Sequence, residues 1–328
     1  MPTAEIERRI HLDHPLERAD RDAVLAELRD ALTAAPRRLP SKYFYDDRGS
    51  ALFERITELP EYYPTRSEAA LLAAVADDVV RLSGARELVE IGSGAATKTR
   101  LLLDAMERAG QLHLYVPMDV SEGTVRRVAH ELVAVYPTLS VHGVVGDFMS
   151  HLGDIPDPDE RLVIFLGGTI GNLSPPEARR FLRELGTQMR RGEHLLLGVD
   201  RIKDRATLEA AYNDAAGVTA EFNLNILAVV NGVAGGDFDP ARFRHAARWN
   251  EADHRIEMWL AATEAHRVHL DDLDLTLDLA AGEEILTEIS TKYDRRLAGD
   301  LLADSGYALE RWYSDDEERF ALCLAARV

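Results

Sequence analysis

A single cysteine, Cys323, stands among 328 residues, which excludes an internal disulfide and a cysteine-built metal site. It lies in the apolar run Phe320-Ala321-Leu322-Cys323-Leu324 and reads as a buried strand residue, consistent with a reducing compartment. Positive charge is in deficit. Lys and Arg number 38 against 57 Asp and Glu, and the formal charge of −19 has the wrong sign for a phosphate backbone or an anionic membrane. No run approaches the ~20 apolar residues of a membrane span, and residues 1–22 lack the apolar core of a signal peptide. The 11 histidines form no His-x-x-x-His pair, and His266 and His269 sit in a polar stretch that reads as a solvated turn. The expectation is a cytoplasmic monomer with no metal, acting on a small molecule rather than on nucleic acid or a membrane.

Against these absences stands one informative stretch, residues 88–98, where an apolar strand runs into Gly92 and Gly94 and then a helix. Asp119 follows Gly94 by 25 residues and closes a second strand-like run. Strand, glycine turn, helix and acid form a nucleotide-binding βαβ unit. A dinucleotide fingerprint needs a third glycine at the sixth position, where Thr97 stands, and a P-loop needs Gly-Lys-Ser/Thr, which Ala95-Ala96-Thr97-Lys98-Thr99 does not supply. A nucleoside cofactor without a pyrophosphate remains, and Glu90 before the glycines fits S-adenosylmethionine methyltransferases. The plain alternative is a βα turn that merely needs glycine.

From residue 89 onward strands and helices alternate as a parallel, doubly wound sheet requires. Strands are expected at 86–91, 113–118, 139–145, 161–166 and 193–199, with helices at 98–108, 122–135 and from Ser174, where Pro175 and Glu177 complete a start signal. The alternation breaks at about 203–290. Helices at 206–212 and 218–230 precede a glycine-rich loop at 231–236, a hairpin of 243–249 with 255–261, and strands at 274–279 and 284–289. A helix at 296–304 and strands at 307–313 and 319–325 then restore it. The first 65 residues are mostly helical, at 18–34 and 50–59. The fold expected is α/β, a seven-stranded Rossmann-like sheet interrupted after its fifth strand by an α+β insertion suited to substrate recognition.

Several loops carry polar groups that sheet packing does not require. Gly146-Asp147-Phe148 follows the third strand, where an acid can accept the adenine amino group and a ring can cover the base, or where Asp147 is simply a solvated turn residue. Gly167-Gly168-Thr169-Ile170-Gly171-Asn172 follows the fourth strand at the edge where open α/β sheets bind ligands. Leu59-Pro60-Glu61-Tyr62-Tyr63-Pro64-Thr65-Arg66 is a rigid, aromatic entry into the sheet, either the wall of a polar pocket or a packed linker.

Five separated motifs in order resemble the histidine-specific Nα-methyltransferases of ergothioneine biosynthesis. They are Ser41-Lys42-Tyr43-Phe44-Tyr45-Asp46, the 59–66 stretch, Phe165 to Asn172, the 211–219 stretch around Tyr212, and residues 280–290 ending Glu288-Ile289-Ser290. The resemblance runs from about residue 20 to the C-terminus. It implies a class I methyltransferase domain (64–202 and 291–328) and a substrate-recognition domain (14–63 and 203–290). It implies S-adenosylmethionine contacts from Tyr45, Gly92, Lys98, Asp119, Asp147 and Phe148, with S-adenosylhomocysteine as product. It further implies L-histidine as substrate, its carboxylate held by Asn172 and Tyr212, its imidazole addressed by Glu288 and Ser290, with Met258 lining the pocket. Tyr62 is the candidate to orient the amine or relay a proton. Gly168 stands where a serine is often found, and Thr291 follows Ser290 where relatives can carry cysteine. The implied reaction trimethylates the α-amino group to give hercynine. Alternatives are an N-methyltransferase of another amino acid or aromatic amine, such as tryptophan or a histamine-like compound, and a non-catalytic nucleoside-binding protein. By itself Glu288 also reads as an exposed acid of an acidic strand.

Overall fold

The computed structural model describes residues 6–15, 21–156 and 160–328. In chain order the strands are β1 (Ile10–Asp13), β2 (Arg37–Arg38), β3 (Glu87–Ile91), β4 (Leu114–Asp119), β5 (Ser140–Val145), β6 (Arg161–Phe165) and β7 (His194–Asp200). They continue as β8 (Phe243–Asn250), β9 (Arg255–Ala262), β10 (His266–Leu270), β11 (Leu275–Leu279), β12 (Glu284–Thr291), β13 (Tyr307–Ser314) and β14 (Phe320–Arg327). The helices are α1 (Arg21–Thr33), α2 (Asp47–Glu58), α3 (Tyr63–Ser83), α4 (Thr99–Arg108), α5 (Glu122–Val135), α6 (Pro175–Thr187), α7 (Arg205–Ala211), α8 (Val218–Ala234) and α9 (Arg295–Asp304).

The large sheet has the order β1-β5-β4-β3-β6-β7-β14-β13. β5, β4, β3, β6 and β7 pair in parallel, while β14 is antiparallel to β7 and β13. Seven strands are those the sequence leads one to expect. The eighth, β1, adds parallel to β5 at the edge. The chain moves outward from β3 to β4 and β5, then returns to β6 beside β3, so the switch point lies between β3 and β6 and opens a crevice at their carboxyl ends. All residues of β3, β6 and β7 are buried, as sheet-centre strands covered on both faces must be. Cys323 sits fully buried in β14, as its apolar run predicts.

Helix α6 has the expected capping box, Ser174 with Glu177. The 21-residue α3 is a helix the sequence reading does not expect: Pro64 sits in its first turn, where proline is tolerated, and Gly84 at φ 60° ends it. What reads as an aromatic entry at 59–66 is therefore the start of a helix whose Leu72, Ala76 and Val79 pack over the sheet.

The residues between β7 and α9, joined at one edge by β2 from the N-terminal segment, build a second sheet, β2-β12-β9-β8, and a separate β10–β11 hairpin. Helices α1 and α2 join α8 over this sheet around Phe44, Phe222, Ile226, Met258, Leu260 and Ile285. Two details differ from expectation. His266 and His269 lie on β10, opposite Leu279 and Thr276, not in a turn, because Val268 and Leu270 between and beyond them turn inward. Helix α8 runs through Gly232 to Ala234 and stops only at Gly235, φ 60°. The two ends of the insertion meet: Arg201 bridges Tyr293 in parallel, and the Tyr293 N–H donates to the Asp200 carbonyl at 2.8 Å.

Candidate active site

The turn after β3 places Gly92 at φ 69° and Gly94 at φ 48°, backbone that only glycine adopts readily, and no atom lies within 4 Å of a Cβ built on either. Asp119, at the end of β4, reaches across: the Gly94 N–H donates to its Oδ2 at 2.8 Å and the Ser121 N–H to its Oδ1 at 3.0 Å. Burial pushes the Asp119 carboxyl up against the pull of those donors. Glu90 is held by its own strand's neighbours. It is buried, accepts Thr99 Oγ1 at 2.7 Å and the Tyr115 hydroxyl, and burial pushes its carboxyl up to about 7.

After β5, Asp147 Oδ1 accepts the Met149 N–H at 2.9 Å, and its Oδ2 lies 3.6 Å from Lys42 Nζ, which also pairs with Glu27 at 2.6 Å. Phe148 is half-buried, its ring 5.4 Å from Phe165 and 5.5 Å from Phe181. Lys98 is not free at the glycine turn. It pairs with Glu68 of α3, a fully buried acid that also accepts the Gly167 N–H at 2.8 Å. No local pattern points to Glu68, because Tyr62-Tyr63-Pro64 hides the start of α3 in the sequence. Its carboxylate comes so near β7 that a Cβ on Gly198 would collide with Glu68 Oε1.

Beyond the carboxyl ends of β6 and β7 lies one cavity, and it gathers Tyr45, Tyr62, Asn172, Tyr212, Met258, Glu288 and Ser290 with Asp200 and Thr219. These residues come from opposite ends of the chain. Tyr45 follows a short 3-10 turn, Tyr62 caps α3, Asn172 ends the 3-10 turn after β6, and Tyr212 caps the C-terminus of α7. Tyr62 and Tyr212 are in edge-to-face contact at 6.3 Å, and burial holds both phenols well above their ordinary range, hence neutral.

Glu288 and Ser290 reach the cavity through a β-bulge. Ile285 pairs with Leu260 and Leu286 with Trp259, but Glu288, not Thr287, pairs with Met258, so the register shifts by one residue. Before the bulge odd-numbered residues share the face of Leu260 and Met258; after it Glu288 and Ser290 do. An uninterrupted alternation would have left Glu288 outside, as the exposed-acid alternative supposes. Burial pushes the Glu288 carboxyl up to about 7, opposed by the nearby Lys292 ammonium.

Behind the cavity wall is a charged group that the sequence analysis did not single out. Lys292 is fully buried, and its ammonium donates to Tyr212 Oη at 2.9 Å, Ser290 Oγ at 2.8 Å and Asp200 Oδ2 at 2.7 Å. Asp200 also accepts from Lys203 Nζ at 2.5 Å and from Tyr63 Oη at 2.8 Å. Burial raises the Asp200 carboxyl, but the two ammoniums outweigh it and leave the group below its usual range. Burial lowers Lys203 to about 8. The available signal was the two-residue spacing of Glu288, Ser290 and Lys292, which puts all three on one face of an extended chain.

One group among the described residues has the spacing to hold a metal ion: His11, Asp13 and His142 on β1 and β5. In the sequence these histidines look scattered, 131 positions separating His11 from His142. None of the three lines the cavity. No helix of the described residues is long and apolar enough to cross a membrane.

A family model described as histidine-specific methyltransferase, SAM-dependent, matches residues 24–327. A histidine N-alpha-methyltransferase from Mycolicibacterium smegmatis is 48% identical over 306 residues, covering 93% of this chain and 95% of the relative. One of the same name from Mycobacterium tuberculosis is 46% identical over 315 residues, covering 96% and 98%. An ergothioneine biosynthesis protein 1 from Neurospora crassa is 35% identical over 206 residues, 61% of this chain and 23% of that longer protein.

Proposed function

The chain belongs to the histidine-specific, S-adenosylmethionine-dependent methyltransferase family, and from that premise we propose that its cavity binds L-histidine for transfer of methyl groups to the α-amino nitrogen. The product is Nα,Nα,Nα-trimethyl-L-histidine, hercynine, the first intermediate of ergothioneine biosynthesis. One observation carries the site assignment: Tyr62, Asn172, Tyr212, Glu288 and Ser290, up to 228 positions apart, line a single cavity at the carboxyl edge of the large sheet.

The residues around the glycine turn fit the nucleoside donor. Gly92 and Gly94 leave open space, Asp119 presents a carboxylate at the end of β4, and Ser93 Oγ is buried without a hydrogen-bond partner. Asp119 would take the ribose hydroxyls, Asp147 and Phe148 the adenine, and Gly92, Lys98 and Tyr45 the remainder, Lys98 through its fixed pairing with Glu68. When bound, the donor supplies an electrophilic methyl on a sulfonium.

Transfer is an in-line displacement: the C–S bond breaks with its electron pair going to sulfur, and the C–N bond forms from the amine lone pair. The amine must be neutral at each of the three attacks, so a proton leaves to solvent before the first transfer and again between rounds. Because the leaving group is already activated, the protein's task is orientation. Asn172 and Tyr212 anchor the carboxylate, Glu288 and Ser290 the imidazole, with Met258 against the ring. Tyr62, neutral and edge-on to Tyr212, directs the amine. The residues 203–290 with 14–63 act as the substrate-recognition part, and 64–202 with 291–328 as the donor-binding part.

Mass spectrometry of a reaction of the protein with L-histidine and S-adenosylmethionine tests this. Mono-, di- and trimethylhistidine are expected in succession; no methylated histidine, or methylation of tryptophan in preference, overturns it.

A further inference from the structure

Lys292 holds a position that its neighbours do not require. Asp200 already has Lys203 at 2.5 Å and Tyr63 at 2.8 Å. A second ammonium places two cations on one buried carboxylate, a local excess of positive charge. The excess sits directly behind the cavity wall, because the other two Lys292 donors go to Tyr212 Oη and Ser290 Oγ.

An ammonium has three donors and no acceptor, and all three are engaged. Both hydroxyl oxygens must therefore accept from Lys292. They also lie 2.8 Å from each other, a contact that uses one of their two protons. One hydroxyl proton remains, and with the inner side occupied by Lys292 it can only point into the cavity. The pair thus presents a donor to the ligand, backed by the Lys292 ammonium 2.8–2.9 Å further in. Glu288 faces the same cavity, and with its carboxyl pushed up to about 7 by burial it offsets that charge only as pH rises through neutrality.

We propose that Lys292 is a positioning residue for the substrate carboxylate, fixing Tyr212 and Ser290 so that their outward proton and the buried charge behind them select amino acids over the corresponding amines. This rests on the reading that Asn172 and Tyr212 receive the carboxylate. It explains how a carboxylate is recognised in a cavity lined, among the described residues, by no arginine and no lysine. Charge transmitted through neutral hydroxyls also leaves the cavity mouth free of a flexible cation that would repel the sulfonium.

The test compares L-histidine with histamine, which keeps the imidazole and the amine but lacks the carboxylate. Lys292→Met is expected to raise KM for histidine ~10- to 100-fold with kcat nearly unchanged, to leave the inhibition constant of histamine as it was, and to be largely rescued in Lys292→Arg. S-adenosylhomocysteine affinity reports that the fold is intact. Where Lys292→Met does not fold, the double variant Lys292→Met/Asp200→Asn, which leaves no excess anion buried, is read the same way. Equal weakening of histidine and histamine, a fall confined to kcat, or no change overturns the proposal. Asn172→Ala separates the two levels: if it too weakens both ligands alike, the carboxylate assignment itself fails. If it discriminates while Lys292→Met does not, only the role of the lysine falls.

Discussion

Met258 and Glu288 face each other across the β9–β12 pair, one step beyond the bulge at Thr287. Thr287 is itself buried and ties the bulge down by donating from Oγ1 to the Met258 carbonyl at 3.0 Å. A carboxylate and a thioether thereby form one side of the cavity, the first able to accept an imidazole N–H and the second to lie against its ring. Glu288→Gln is expected to lower kcat/KM for histidine roughly 100-fold, mainly through KM, because a charge-assisted acceptor becomes a neutral one. Binding of S-adenosylhomocysteine, measured by calorimetry, is expected to stay the same.

The same carboxylate sets a pH dependence. Glu288 is pushed up to about 7 by burial, so in the free enzyme its ionised fraction rises through neutrality and falls on the acid side. Between pH 6 and pH 8, kcat/KM for histidine is expected to climb with an apparent pKa near 7. Protonation of the substrate's own groups adds its own limbs. The Glu288 limb is identified by its disappearance in Glu288→Gln, and its persistence there would refute the assignment.

Glu90 offers a stability measurement independent of turnover. Its carboxyl, ordinarily at 4.5, is pushed up to about 7 by burial in the folded protein despite Tyr115 and Thr99 donating to it. The folded state therefore binds the proton more tightly than the unfolded chain. Its contribution is fully present below 4.5 and is lost as pH rises through about 7, at most ~3 kcal/mol across that window. Denaturant unfolding at pH 5 and pH 8 is expected to show a shallower pH dependence for Glu90→Gln than for the natural protein. Some slope will remain, since Glu288 titrates in the same direction.

Gly198 in β7 is expected to tolerate no side chain. A Cβ there meets Glu68 Oε1, and Glu68 in turn holds Lys98 and the Gly167 amide. Gly198→Ala is expected to cost ~1–3 kcal/mol of stability by overpacking and to weaken S-adenosylhomocysteine binding together with histidine binding, since Glu68 joins the two loops. Thermal unfolding and calorimetry check both.

The seven expected strands of the large sheet, the Ser174 cap and the hairpin of β8 with β9 were legible because each is a local pattern: continuous apolar runs, a capping box, strict alternation. What escaped was decided elsewhere. β1 is four residues, Ile-His-Leu-Asp, that become a strand only because β5 offers a free edge. Helix α3 was hidden by Tyr-Tyr-Pro, a sequence with the look of a turn that proves to be a helix start. Lys292 and Asp200 are 92 positions apart, and no local pattern announces an ion pair formed across an insertion. The face on which Glu288 lies depends on a single-residue bulge, which alternation alone assigns the wrong way.

The bridge between Arg201 and Tyr293 has a consequence for how such a protein can change over generations. The chain leaves the large sheet at Asp200 and comes back beside it at Tyr293, with the Ile202 N–H donating to the Tyr293 carbonyl at 3.2 Å. The intervening stretch departs and returns through one doorway, a single ladder step wide. Its loops can lengthen, its strands can trade side chains, and its floor can be rebuilt for a different acceptor without disturbing a hydrogen bond of β3, β4 or β6. A graft cut at these two positions carries Tyr212, Met258, Glu288 and Ser290 together, while Tyr45, Tyr62, Asn172 and the strand Arg37–Arg38 stay with the recipient and must match it.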